Sequence, residues 1–351
     1  MASVVQTPVT VRSSHRAPPV DRLPAAPAAW YLLCASREVN PGPVSKQFAG
    51  RTLVAFRTAS GSVAVMDGRC SHLGADLGRG RVVGDAIECP FHGWRYAADG
   101  RCTFIPAAAE VPRFARQATY PVVERHGLVF FFNGREPLFP LPFFADARPE
   151  DYVPGVPFRF VGECTWYMLA SNGFDGAHFA AVHDRIMLGP ATVDCPAEFA
   201  RRYSYTARVT GRSLADRFIR LSLGDVVEVS ITNWGGPLIL VAGRFRRARS
   251  LMLIATQPLP PDRTLVETIV FAPRSRSIVG RWLQPLGLRM RRCLTQKFLQ
   301  DDVDRLAGIT YSPLTMIEAD RDLVEFFAWL SRLPEGTPMC LARPQGDNQR
   351  D

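Results

Sequence analysis

The sequence predicts an α+β protein, with a small all-β domain followed by a larger domain in which helices pack against an antiparallel sheet. Three observations support this prediction. Residues 30–133 consist of short apolar runs separated by glycine-containing turns. Longer strand-like runs recur between residues 203 and 271. Amphipathic helical patterns then follow at 289–306 and near 317–333.

Composition and turn residues divide the chain into five parts. Residues 1–27 are rich in Pro, Ala and Arg, which predicts a flexible tail. Residues 28–134 form the first predicted domain, and the proline-rich segment 135–157 is the predicted linker. We expect the second domain over 158–340 and another flexible tail over 341–351.

The individual strands are predicted from runs of β-branched and aromatic residues between turns. In the first domain these runs are 51–56, 62–66, 86–89 and 127–132. In the second domain they are 203–209, 226–232, 238–242, 251–255 and 265–271.

Composition also limits the class of protein. The 351 residues are 47% hydrophobic, which suits a globular chain with one or two cores. The sequence contains no apolar run long enough to span a bilayer, and its N-terminus lacks the apolar stretch of a signal peptide. The eight cysteines show no spacing typical of a disulfide framework, which favours a reducing, cytoplasmic setting.

The net charge of +9 does not by itself indicate nucleic-acid binding. Only Lys46 and Lys297 are lysines, and the arginines are scattered without a recognisable binding motif. One group of arginines accompanies the first metal motif described below. They are either ordinary surface residues or a docking site for an acidic redox partner. These residues are Arg69, Arg79, Arg81, Arg95 and Arg101.

The first metal motif is Cys70-x-His72 followed by Cys89-x-x-His92. Two thiolates and two imidazoles are the ligand set of a two-iron, two-sulfur cluster in which one iron takes the cysteines and the other takes the histidines. A structural zinc site is the alternative, because two Cys and two His also satisfy tetrahedral zinc. Zinc fingers usually pair like with like along the chain, whereas each loop here supplies one residue of each kind, which favours the cluster.

The second metal motif spans residues 172–183 and carries His178 and His183 on a predicted helix. Residues five apart on a straight α-helix lie about 140° apart, so we expect a wide turn of the π-bulge kind between them. Two histidines and one carboxylate form the facial triad of non-haem Fe(II) oxygenases. The alternative is a pair of histidines satisfied within a protein core.

The carboxylate is predicted from the helix at 289–306. Apolar residues recur there at Leu294, Phe298 and Leu306, and Asp302 occupies the missing step of that stripe. A carboxylate on a buried stripe is costly unless it is paired or coordinated. Asp302 is therefore the predicted third ligand, with Asp301 as the alternative if the helix register slips by one residue.

Asp175 lies three residues before His178 and can be interpreted in two ways. It is either an exposed helical carboxylate or a hydrogen-bonding bridge between an iron-bound histidine and a cluster histidine. Asn172 is a weaker candidate for a supporting hydrogen bond to the metal site.

Taken together, the two motifs resemble those of Rieske non-haem iron oxygenase α-subunits of the aromatic-ring-hydroxylating type, over residues 28–310. The resemblance implies an N-terminal Rieske domain followed by a helix-grip (START-like) catalytic domain. It also implies that His178, His183 and Asp302 bind iron. Asp175 would then bridge to the cluster of a neighbouring subunit in a homotrimer.

The resemblance further implies an enzyme that uses O2 and electrons from NAD(P)H, delivered through a ferredoxin and/or a ferredoxin reductase, to oxygenate a small aromatic or hydrophobic substrate. Within the family the likeness is greatest to an arylamine N-oxygenase of secondary metabolism. The alternatives are C-hydroxylation or demethylation of a larger molecule such as a steroid, and an electron carrier with an inactive second site. Candidate pocket residues are Phe174, Phe179, Met187, Leu188, Trp234 and Phe271.

Overall fold

The computed structural model describes residues 16–40 and 42–336. The first fifteen residues of the predicted N-terminal tail and the whole predicted C-terminal tail lie outside the described residues. None of the described helices is long and apolar enough to cross a membrane.

The first domain is built from three small antiparallel sheets, with strand orders β1-β11-β10, β2-β3-β4-β9 and β5-β6-β7-β8. In chain order the strands are β1 (Trp30–Ala35), β2 (Val44–Phe48), β3 (Arg51–Arg57), β4 (Val63–Asp67), β5 (Arg81–Val83), β6 (Ala86–Glu88), β7 (Arg95–Ala97), β8 (Cys102–Phe104), β9 (Thr119–Tyr120), β10 (Val122–Arg125) and β11 (Leu128–Phe132).

Over its described residues, the second domain has nine strands and five α-helices. In chain order they are β12 (Tyr152–Pro154), β13 (Phe158–Gly162), α1 (Trp166–Ser171), α2 (Gly176–His183), β14 (Arg185–Met187), β15 (Thr192–Ala197), β16 (Ala200–Val209), α3 (Leu214–Ser222), β17 (Val226–Trp234), β18 (Leu238–Phe245), β19 (Arg249–Leu259), β20 (Arg263–Pro273), α4 (Ile278–Leu306) and α5 (Arg321–Leu330).

The nine strands form one antiparallel sheet in the order β12-β20-β19-β18-β17-β16-β14. Strand β13 pairs beside β12 on β20, and β15 pairs beside β14 on β16. The long helix α4 packs on β20 and β13 and also contacts α2. The predicted α+β class, with helices on an antiparallel sheet, is therefore confirmed, and the five strand-like runs of this domain all lie within β16–β20.

One of the buried apolar clusters contains residues of both domains. Tyr31 and Phe131 of the first domain belong to the same buried cluster as Leu253, Ile269 and Phe271 of the second. The predicted linker is irregular over most of its length, but it packs against both domains. It adds three further aromatic or aliphatic side chains to this core, namely Phe139, Leu141 and Phe144.

The end of the predicted N-terminal tail is part of the folded protein. Leu23 and Ala26 are buried. The backbone N–H groups of Ala25 and Ala26 donate to the Glu335 carboxylate at 2.8 and 2.9 Å. Trp166 Nε1 donates to the Pro24 carbonyl at 3.2 Å. Residues 23–27 of the predicted tail therefore pack against the second domain, through hydrogen bonds between their backbone and distant side chains that composition does not reveal.

Candidate metal centres

The two cluster loops have the same local geometry. In each loop a glycine four residues after the cysteine donates its N–H to the cysteine carbonyl, Gly74 to Cys70 at 2.8 Å and Gly93 to Cys89 at 3.1 Å. Both glycines have positive φ values, 76° and 69°, which L side chains rarely adopt. These turns fold each loop back, so that its cysteine and histidine face the other loop.

The four predicted cluster residues come together with the thiols inside and the imidazoles outside. Cys70 and Cys89 are 4% and 3% exposed. His72 and His92 are exposed at the tip of the domain, and their ring centroids lie 4.8 Å apart. A cluster held by these residues would therefore have one buried metal position and one at the protein surface.

The spacing of these ligands suits two metals better than one. A tetrahedral zinc ion at 2.0–2.3 Å from each ligand would draw all four donor atoms to within about 4 Å of one another. In the part of the chain that the structure describes, only His178, His183 and Asp302 form a set of three or more donors within 4.8 Å of one another. The two thiols and two imidazoles are more widely spread, as a cluster with two irons requires.

Two aromatic residues support the cluster ligands. The indole of Trp94 stacks on His72, with ring centroids 4.5 Å apart and an interplanar angle of 5°. Tyr96 Oη lies 3.1 Å from Cys70 Sγ and 3.0 Å from Ser71 Oγ. Burial, assisted by the contact with Cys70, raises the pKa of Tyr96, so its hydroxyl stays protonated and can donate to the sulfur. Tyr96 was not among the predicted site residues, although it follows Trp94 by two residues, which is the spacing of side chains on one side of an extended chain.

Helix α2 begins and ends at residues suited to those positions. Asp175 is its N-cap, and Asp175 Oδ1 accepts from the N–H groups of Ala177 at 3.0 Å and His178 at 3.2 Å. The helix stops after His183 because Asp184 adopts a left-handed conformation, with φ 50° and ψ 47°. The two histidines therefore lie in the first and last turns of a helix of eight residues.

His178, His183 and Asp302 converge on one point. His178 Nε2 lies 2.7 Å and His183 Nε2 lies 2.9 Å from Asp302 Oδ1. The two Nε2 atoms are 3.2 Å apart. Adjacent ligands of an octahedral ion at about 2.1 Å would be separated by about 3 Å, so these three groups fit a facial metal site.

The structure distinguishes Asp302 from Asp301. Asp302 is nearly buried beside the histidines, whereas Asp301 is exposed. Burial alone would raise the pKa of Asp302, but the contacts with His178 and His183 outweigh it and keep this pKa below its usual value. The carboxylate is therefore held in its ionised form, which is the form that coordinates a cation.

The expected wide turn between the two histidines is wrong. Helix α2 is α-helical from Gly176 to His183. The imidazoles instead close the angular gap through their side chains, and the rings meet at an interplanar angle of 84°. Two neighbours contact these rings. Asn172 Nδ2 lies 3.2 Å from His178 Nε2, and His183 stacks on Phe298 at 3.8 Å.

The triad opens on an apolar cavity of about 270 Å³ between α4 and the large sheet. His183 and Asp302 lie in its wall. Alternate residues of three neighbouring strands form the opposite wall, because side chains on one face of a strand recur every second residue. They include Val227, Val229, Ile231, Ile239, Val241, Met252 and Ile254.

Of the six aromatic and apolar residues predicted to line a substrate pocket, Phe179 alone lines the cavity beside the triad. Phe174 stacks on Phe326 in the core beneath α5. Phe271 belongs to the core between the domains. The remaining three are absent from the cavity wall, namely Met187, Leu188 and Trp234. Residues of α4 such as Phe298 and Leu294 take their place, and the stripe that predicted Asp302 already contained both.

Residues 29–115 match the family model "Rieske [2Fe-2S] domain". Aminopyrrolnitrin oxygenase PrnD of Pseudomonas fluorescens is 39% identical over 166 residues, 44% of this chain and 46% of the relative. The oxygenase component of 3-ketosteroid-9-alpha-monooxygenase from Mycolicibacterium smegmatis is 33% identical over 292 residues, 78% of this chain and 73% of the relative.

Solved structures show the same fold over most of the chain. Dicamba monooxygenase bound to dicamba has a TM-score of 0.67 at 18% identity and covers 87% of this chain and 97% of its own. The oxygenase in a ferredoxin complex of carbazole 1,9a-dioxygenase has a TM-score of 0.63 at 20% identity, covering 90% and 92%.

The first relatives match only a part of their length. The chain spans less than half of aminopyrrolnitrin oxygenase and of the cholesterol 7-desaturases from Xenopus laevis and Ciona intestinalis. The long match to the ketosteroid monooxygenase component, together with the Rieske domain, settles the family. This chain belongs to the Rieske non-haem iron oxygenases and is of their α-subunit type.

Proposed function

We propose that this chain is the oxygenase component of an enzyme that uses O2 to oxygenate an apolar substrate. Electrons would come from NAD(P)H through a ferredoxin and/or a ferredoxin reductase. The observation behind this proposal is that His183 and Asp302 form part of the wall of an otherwise mainly apolar cavity. A metal held there would face any molecule that fills the cavity.

The side chains have distinct proposed roles. Cys70, His72, Cys89 and His92 would hold the two-iron, two-sulfur cluster. His178, His183 and Asp302 would hold the mononuclear iron. When bound, the cluster supplies single electrons and the iron supplies O2 activation beside the substrate. The apolar wall orients the substrate and excludes water from the reacting face.

Arylamine N-oxygenation and oxidation of a larger ring system are both supported by relatives. The 39% identity to aminopyrrolnitrin oxygenase supports the arylamine, which was the main expectation from the sequence. A specific observation favours the larger substrate. The ketosteroid monooxygenase match covers 78% of this chain. Wherever that stretch begins, it includes residues 200–260, which form most of the sheet wall of the cavity.

The ligand assignment predicts a difference between neighbouring aspartates. Asp302→Ala removes a ligand and should lower Fe(II) retention by at least about 10-fold. Loss of a residue that only supports a ligand already lowers metal affinity by about 10–100-fold. The visible spectrum of the cluster should not change. Iron and sulfide analysis of purified protein measures the mononuclear iron and the cluster separately. Asp301→Ala is the matched control and should keep its iron. Equal iron loss in both variants would refute the assignment of Asp302.

We also propose a homotrimer in which the cluster of one subunit serves the iron of the next, with Asp175 as the bridge. The exposed tip of the first domain supports this arrangement. Beside the exposed cluster histidines, Leu73 is 66% and Phe91 is 63% exposed. Apolar groups of this size at a surface are typical of a contact. Asp175 is half-buried and uses only its Oδ1 in capping α2.

Asp175→Asn tests the bridge without disturbing the helix cap, since Asn caps a helix N-terminus as well as Asp does. We expect full metal content, intact trimers and product formation slowed at least about 10-fold, because the charged acceptor between the two centres is lost. Rapid-mix kinetics with the pre-reduced cluster would measure the rate. Turnover at the normal rate in this variant would exclude a bridging role.

We propose that an acidic ferredoxin or reductase docks near the cluster. Of the five nearby arginines, Arg81 and Arg95 both pair with Glu88 at 2.7 Å. Arg69, Arg79 and Arg101 are exposed and have no carboxylate within 4.0 Å among the described residues. Arg79→Glu should therefore slow cluster reduction by an acidic ferredoxin, most strongly at low salt. An unchanged rate at every ionic strength would argue against docking at this surface.

We further propose a reducing, cytoplasmic setting. The seven cysteines within the described residues are all free, and two of them are the cluster thiols. Fractionation of the native host would test this proposal, and recovery of the protein from an oxidising compartment would contradict it.

A further inference from the structure

One face of α4 runs from the metal triad to the side chain of Arg291, at the far end of the cavity. Arg291, Leu294, Phe298 and Asp302 all line the cavity. Eleven residues of α-helix make about three turns, so Arg291 and Asp302 lie on the same face about 16 Å apart along the axis. Arg291 therefore marks the end of this cavity wall that is remote from the triad.

Within the described residues, Arg291 lacks the counter-ion that a buried charge usually has. No carboxylate of the described residues lies within 4.0 Å of its guanidinium, and its one hydrogen bond is from Nη1 to the Arg249 carbonyl at 3.0 Å. The other arginine in the cavity wall, Arg185, differs. It pairs with Asp216 at 3.0 Å and donates to the His183 carbonyl at 2.8 Å.

An unpaired, partly buried guanidinium is unfavourable on its own. Burial lowers the pKa of Arg291, and no neighbouring acid compensates for that burial. A guanidinium nevertheless keeps its charge in proteins and has five N–H donors. Four of those donors make no hydrogen bond to a described residue. They are available to a planar acceptor such as a carboxylate, which arginine binds through two parallel hydrogen bonds.

We propose that Arg291 is a substrate-binding residue that holds a carboxylate at the end of the substrate remote from the triad. The proposal rests on the function proposed above and specifies its substrate class. That substrate is a rigid apolar body on the order of 10 Å long, the axial span less the reach of the side chains at each end, with an acidic terminus. Fused ring systems of steroid size meet this requirement, and a single-ring arylamine does not.

Binding of a matched ligand pair to the holoenzyme tests the proposal. The probes are a steroid-17-carboxylic acid and its methyl ester, measured by titration calorimetry. A charge-assisted hydrogen bond contributes about 1.5–3 kcal/mol, so the native protein should bind the acid about 10- to 100-fold more tightly than the ester. Arg291→Gln should abolish that preference, whereas Arg291→Lys, which keeps the charge, should retain a part of it.

Arg289→Gln is the matched control, because Arg289 is exposed on α4 and does not line the cavity. It should keep the full preference for the acid. Circular dichroism and metal content establish that each variant is folded. Equal affinity of the native protein for acid and ester would overturn the proposal, and so would failure to bind either. Oxygenation of some other apolar compound would still leave the proposed oxygenase function standing.

Discussion

The contact between α2 and α4 is the constraint on which the second domain depends. The triad takes two ligands from an eight-residue helix and the third from Asp302, which lies 124 positions after His178 in the chain. Three polar groups must meet within about 3 Å inside an apolar interior, which is unfavourable unless a cation or a full set of hydrogen bonds compensates. The sheet makes this meeting possible, because α4 packs on β20 and β13 and presents one stripe to α2.

The residues on this face of α4 belong both to the metal site and to the cavity wall. Phe298 stacks on His183 at 3.8 Å and also lines the cavity, so one side chain orients a ligand and shapes the substrate space. His183 Nδ1 is buried without a hydrogen-bond partner among the described residues. Its ring is therefore oriented by stacking. The cluster site has the opposite character, with exposed imidazoles on a tip that is suited to contact another molecule.

Much of the site could be predicted from the sequence, because metal ligands have local signatures. The spacing of Cys70, His72, Cys89 and His92 reflects two turns that each loop closes by itself, and the gap in an apolar stripe indicated Asp302. Residues whose role depends on tertiary contacts could not be found in this way. The order of residues 23–27 depends on Glu335, far along the chain. The sheet wall of the cavity depends on which face of each strand turns toward α4.

The central claim is that O2 reacts beside a substrate in the cavity, using electrons stored in the same protein. A single turnover under isotopically labelled O2 tests it most directly. The protein, with its cluster chemically reduced, would meet an arylamine and, separately, a steroid, and mass spectrometry would follow the products. Our account predicts labelled oxygen in the product of at least one of them, with matching oxidation of the cluster. A product whose oxygen comes only from water, or cluster oxidation without any oxygenated product, would contradict it.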